Sequence, residues 1–134
     1  MTTTKTTIKT PTTKEILAMG PYEIRQTYFA IVEPMWDEAK AAGAGIECFA
    51  ERCRAEHEVA KQYRAAQAAF ANRVRKTLFC KNALGEWAIP VSWGTCRAIE
   101  TSTSAASLVT NVWAMGEAIE GREEIARFKA VVGL

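Results

Sequence analysis

Thirty consecutive residues, Phe49 to Leu78, contain neither proline nor glycine, the two residues that cost most inside a helix. Alanines at 55, 60, 65, 66, 68, 69 and 71 add helical propensity to the stretch. The spacing predicts one helix from about Ile46 to about Phe79. At roughly 1.5 Å per residue it would span about 45–50 Å, more than a small domain is wide. The rest of the chain must therefore be laid along it. In helical projection Phe49, Val59, Ala60, Tyr63, Phe70, Val74 and Leu78 share one apolar arc, opposite Arg54, His57, Lys61, Arg64, Asn72, Arg75 and Lys76. Arg52 and Glu56 intrude on the apolar arc. A solvated ion pair is cheaper than a buried one, so burial is expected only from about Val59 onward. Phe49, Cys53, Glu56, Ala60, Tyr63, Gln67, Phe70 and Val74 also follow a heptad-like spacing. With Glu56 and Gln67 in that seam it makes a poor zipper, and packing within the chain is expected, with at most a weak homodimer.

The flanking segments read as further helices. Residues 1–11 hold Lys5, Lys9 and many threonines, with Ile8 the only aliphatic side chain after Met1, and are expected to form a flexible arm. Order is expected from Thr12, where Thr12-Thr13-Lys14-Glu15 has the form of a capping box. A short helix then carries Ile16, Leu17 and Met19 to Gly20-Pro21, and Pro21 suits the first position of the next helix. That helix spreads Tyr22, Ile24, Tyr28, Phe29, Ile31, Val32, Met35 and Trp36 over a broad arc, which predicts a place near the centre of the core. Pro34 should kink it, and Gly43 and Gly45 should end it. Beyond Cys80 the helical pattern fails. Lys81 to Gly85 reads as a turn, and residues 86–91 as a loop pinned to the core by Trp87. Ser92 is a candidate N-cap for a helix carrying Trp93, Cys96 and Ile99. Thr101-Ser102-Thr103-Ser104 either breaks that helix or forms a polar turn within it. A helix is expected over Ser107 to Met115, and Gly121 should separate a last helix with Ile125, Phe128, Val131 and Val132 on one face. The expected fold is all-α: a compact single-domain bundle of five or six helices, residues 12–134, around one long central helix.

A hydrophobic fraction of 49% with 24% charged residues is an ordinary globular mixture. No stretch is apolar for long enough to span a membrane, and the first thirteen residues lack the apolar core of a secretory signal. Cys48, Cys53, Cys80 and Cys96 form no C-x-x-C pair, so they are read as reduced, buried thiols of a cytoplasmic protein. His57 is the single histidine. Cys53 and Lys61 lie four residues to either side of it, too few ligands for a metal and a cation too close. No cofactor loop, nucleophile elbow or converging carboxylate pair is present, and no catalytic residues, metal or cofactor are assigned.

Charge changes sign along the long helix. Residues 46–60 carry Glu47, Glu51, Glu56 and Glu58 against Arg52 and Arg54. Residues 61–81 carry Lys61, Arg64, Arg73, Arg75, Lys76 and Lys81 and no acid. Acids early and cations late complement the helix dipole, and the basic half also forms a strip able to meet phosphates or an acidic protein surface. The four tryptophans are expected mainly in the core, with Trp87 and Trp93 the most exposed and the best anchors for a partner. The expected function is that of a small non-enzymatic helical protein that binds another protein, as an adaptor, assembly factor or inhibitor of the phage or mobile-element type. Its candidate contacts are Lys61, Arg64, Arg73, Arg75, Lys76, Trp87 and Trp93. The alternative is non-specific nucleic-acid binding through the basic strip, since no helix-turn-helix pattern or interleaved aromatic supplies base recognition.

Overall fold

The computed structural model describes residues 8–91, 96–99 and 104–133. Its axis is α4 (Phe49–Leu78), thirty residues and about 45 Å long. Before it come α1 (Thr13–Leu17), α2 (Pro21–Ala30) and α3 (Met35–Gly43). After it come β1 (Cys80–Lys81), β2 (Trp87–Ile89), β3 (Arg97–Ala98), α5 (Ala105–Thr110) and α6 (Val112–Val132). The fold is all-α, a helical bundle around one long central helix, with a small antiparallel sheet at the C-terminal end of α4.

Local chemistry accounts for most helix ends. Thr12 accepts a hydrogen bond from the Glu15 N–H while the Glu15 carboxylate accepts one from the Thr12 N–H, the reciprocal capping box expected there. The Glu15 carboxyl is held below its ordinary range first by the Thr12 N–H and then by the Thr12 hydroxyl, both of which donate to it. Pro21 occupies the first turn of α2. Asn111 both closes α5 and caps α6, accepting from the Ala114 N–H at 3.1 Å. Pro34 does more than kink a continuous helix. It has no N–H for the Ala30 carbonyl, and its ring collides with that turn. Glu33 takes the Ala30 carbonyl instead at 3.2 Å, residues 31–34 form turns, and the helix restarts at Met35.

The core has two parts. The larger lies on the second half of α4, where Phe70, Val74 and Leu78 pack with Ile16, Ile24, Ile89, Leu108, Val109 and Met115. The smaller joins Met35, Ala60 and Tyr63, with Ile8, Val32 and Val59 against them. Along α4 burial begins at Ala60, and Phe49 is 69% exposed. Late burial is therefore the arrangement adopted. No ion pair joins Arg52 to Glu56 among the described residues. Their side chains lie instead beside Gly43, each 2.9 Å from the place a Cβ would take there. The α3–α4 pair is antiparallel: Gly43 meets Arg52 and Glu56, while Met35 meets Ala60 and Tyr63. The Tyr63 hydroxyl donates to the Glu38 carboxylate. Burial first, then that carboxylate, pushes the Tyr63 pKa up to about 12.

Several expectations are corrected. Of the expected 1–11 arm, residues 1–7 lie outside the described residues, while in residues 8–11 Ile8 packs on the smaller core and the Pro11 carbonyl accepts from Arg73 at 2.6 Å. α2 is not central. Ile24 is buried, but Tyr22 and Phe29 face solvent. The segment after α4 is a sheet and not a loop, because Cys80 pairs with Ala88 and Arg97 with Ile89 on the other edge. A five-residue connection closes the first hairpin; in it the Asn82 side chain accepts from the Leu84 and Glu86 N–H groups, and Gly85 takes φ +78°. Cys96 to Ile99 is accordingly extended and not helical; the expected cap at Ser92 and residues 101–103 of the polar stretch 101–104 lie outside the described residues, and Ser104 caps α5, accepting from the Ser107 N–H.

Gly121 does not end a helix, because α6 runs through it without interruption. A Cβ there would sit 2.1 Å from the Pro90 carbonyl oxygen, so this glycine is the place where the sheet's backbone rests on α6. The far end of α6 is not an apolar packed face: Ile125 and Phe128 are half-buried, while Val131 is 86% exposed.

Candidate functional site

Lys61, Arg64, Arg73 and Lys76 are exposed on α4, and Arg75 is half-buried. They do not form one free strip. Arg73 is occupied by Thr10 and Pro11. Arg75 donates to the Asn72 side-chain oxygen at 2.9 Å and lies over the Trp87 ring, 4.5 Å from its centroid. Its Nε is buried and finds no hydrogen-bond partner among the described residues. The geometry is that of a guanidinium stacked on an indole, a contact worth about 0.5–2 kcal/mol. Lys61, Arg64 and Lys76 are left as the outward cations. No acid interrupts them between positions 61 and 81.

Trp87 is half-buried against the larger core, with Lys81 at 5.1 Å from the ring in addition to Arg75. Trp93 lies outside the described residues. Exposure falls on the other two tryptophans: Trp36 and Trp113 are each 62% exposed. Trp113 is flanked by Arg97, whose guanidinium also pairs with Glu117 at 2.7 Å.

The aromatic surface that sequence reasoning missed is on α2. Tyr22 and Phe29 stand two turns apart on one face, 67% and 49% exposed. With Arg25, Gln26, Ala30 and Glu33 they line an open groove of about 460 Å³. The Arg25 guanidinium lies 5.9 Å from the Phe29 centroid. A signal was present: an apolar arc wider than one packed face can cover must leave some of its members outside.

The thiols are also placed differently from the expectation of burial. Cys48 and Cys53 are exposed; Cys80 and Cys96 are half-buried. His57 is exposed on α4. Among the described residues no three His, Cys, Asp or Glu side chains converge in a way that could hold a metal, and no helix is long and apolar enough to cross a membrane. No protein family, curated protein or solved structure matches the chain.

Proposed function

We propose that this is a non-enzymatic interaction protein whose partner is another protein, docked on the Tyr22–Phe29 face of α2. The observation that carries the reading is the pair of large aromatic rings held open on one rigid helix face, with Trp36 exposed one helix further on. Tyrosine and tryptophan dominate binding energy at protein interfaces because they bury a large area at little entropic cost. Burial of exposed apolar surface is worth about 25 cal/mol per Å², so a partner that covers these rings gains what the fold itself does not. Lys61, Arg64 and Lys76 supply a cationic surface on α4 that would favour a partner with acidic groups.

The same three cations support a second reading, non-specific binding of nucleic acid. It is the weaker one, because Arg73 and Arg75 are turned to internal contacts and the exposed aromatics of α2 would have no part in it. Two sets of full-length variants separate the readings: Tyr22→Ala with Phe29→Ala, and Lys61→Glu with Arg64→Glu and Lys76→Glu. Each is compared with the parent in affinity capture and in anisotropy on labelled DNA and RNA at about 50 and 200 mM salt. A protein captured by the parent and lost from the aromatic variant, at unchanged thermal stability, is the expected result. Nucleic-acid binding that collapses with salt and vanishes in the charge-reversed variant, with no protein lost from the aromatic one, would replace the first reading with the second.

A further inference from the structure

Cys80 opens β1 directly after α4, and Cys96 immediately precedes β3. The register sets Cys80 opposite Ala88 and Arg97 opposite Ile89, which brings Cys96 level with Pro90. Residues 88 and 90 of one strand point to the same side, so both thiols lean over one face of the sheet. Ala88, between them, is fully buried and carries only a methyl group. The Cys96 thiol accordingly sits within interaction range of Cys80, while the Cys80 Sγ also faces the Ala88 carbonyl at 3.6 Å. A cleft of about 430 Å³ opens onto the two sulfurs, walled by Arg122, Ile125, Ala126 and Lys129 of α6.

The strands that carry these cysteines are separated by β2. Their backbones are therefore about two strand spacings apart, roughly 9–10 Å, and a disulfide closes only up to about 7 Å between Cα atoms. Two facing sulfurs too far apart to bond can still be bridged by an atom between them. Zinc asks for four ligands and calcium or magnesium for oxygen, and no third ligand converges here among the described residues. Two thiolates alone suit a soft ion of low coordination number.

We propose that Cys80 and Cys96 form a two-coordinate binding site for a soft monovalent metal ion of the Cu(I) type. Each thiol gives its proton to solvent as a sulfur lone pair enters the metal–sulfur bond, and the oxidation state of the ion does not change. The resulting dithiolate complex carries one negative charge, which the Arg122 guanidinium and the Lys129 ammonium at the cleft wall offset. Because both sulfurs must lose their protons to bind the ion, affinity rises with pH. The site is independent of the aromatic face of α2.

The test titrates the full reduced chain, carrying Cys48→Ser and Cys53→Ser to remove the exposed thiols, with Cu(I) buffered by bicinchoninate. One ion per chain is expected, bound more tightly as pH rises. Adding Cys80→Ser or Cys96→Ser should abolish it, and Arg122→Glu should weaken it by about tenfold. A check free of substitution uses the parent chain: Cu(I) should shield Cys80 and Cys96 from iodoacetamide, read by peptide mapping. Retention of the ion by either serine variant, or Cu(I) binding that leaves both thiols open to alkylation, overturns the proposal. So does a Cys80–Cys96 disulfide formed by diamide in the folded protein, because it would show that the sulfurs reach one another unaided.

Discussion

Two glycines five residues apart in α6 should respond to the same substitution with opposite sign. In a helix interior Gly→Ala removes backbone freedom from the unfolded chain and gains about 1 kcal/mol. At Gly116 nothing opposes that gain: a Cβ would meet the Pro21 ring at 3.7 Å, an ordinary contact. At Gly121 the same Cβ would lie 2.1 Å from the Pro90 carbonyl oxygen and 3.2 Å from its carbon. Relief of more than 1 Å of overlap must come from backbone on both sides, because neither the strand nor the helix offers a rotatable group. Overpacking of this kind typically costs about 1–3 kcal/mol and sometimes more. Gly116→Ala is expected to stabilise by up to about 1 kcal/mol, and Gly121→Ala to destabilise by up to about 2 kcal/mol net of the helical gain. In a chain of this size the two variants should melt several degrees apart, at about 4 °C per kcal/mol. Urea unfolding followed by circular dichroism at fixed pH measures both, with comparable m-values required for the comparison. A Gly121→Ala protein as stable as Gly116→Ala would refute the seating of Pro90 on α6, and with it the placement of the sheet.

Other expectations follow from single contacts. Asn111→Ala should cost about 1 kcal/mol through loss of the cap of α6, whereas Asn111→Asp should cost much less; thermal melts of the pair decide it. Tyr63→Phe should cost about 1.5–3 kcal/mol for a bond to a charged acceptor. Its effect should depend on pH with a definite sign. The Tyr63 pKa is raised to about 12 in the fold from about 10 in the unfolded chain, so its contribution is complete below about 10 and fades as pH rises through about 12. Stability of the parent measured from pH 9 to 12 should therefore fall more steeply than that of the variant. Arg73→Gln should free residues 8–11 from the bundle while lowering global stability by less than about 1.5 kcal/mol; faster tryptic cleavage after Lys9 with a small change in melting temperature is the expected pairing.

What could be read from the sequence was what depends on near neighbours. The Thr12–Glu15 capping box, Pro21 in a first turn, the unbroken run of α4 and its late burial all follow from residues within a turn or two of one another. What could not be read depends on what lies across a gap. A glycine in a helical pattern marks either an end or a close approach, and only the Pro90 carbonyl, thirty-one positions away, selects the second for Gly121. Strands of two or three residues are too short to show a period-2 pattern, and both partners of Trp87–Ile89 lie in segments with other plausible readings. Tryptophans are core residues by default, yet Trp36 and Trp113 face outward because the helices that carry them already bury other residues on their inner faces.

The cations of α4 show the same limit. By projection Lys61, Arg64, Arg75 and Lys76 share one arc and Arg73 lies beside it, but the projection does not say which of these cations is engaged. The distinction is made by Pro11, sixty-two positions away, whose carbonyl takes the Arg73 guanidinium, and by Trp87, brought under Arg75 by the hairpin. Both recruitments use a donor that the helix holds close by: the Pro11 carbonyl just before α1 takes Arg73, and the Trp87 ring beyond the turn after α4 lies under Arg75. A basic run in a sequence is thus an upper bound on a basic surface. Here the surface that remains, Lys61, Arg64 and Lys76, is sparse enough that salt-dependent attraction alone would be weak, since each phosphate neutralised contributes only its own share to binding. That deficit is the physical reason the proposed function rests on the aromatic face of α2, where the cations of α4 would set orientation and rate of encounter.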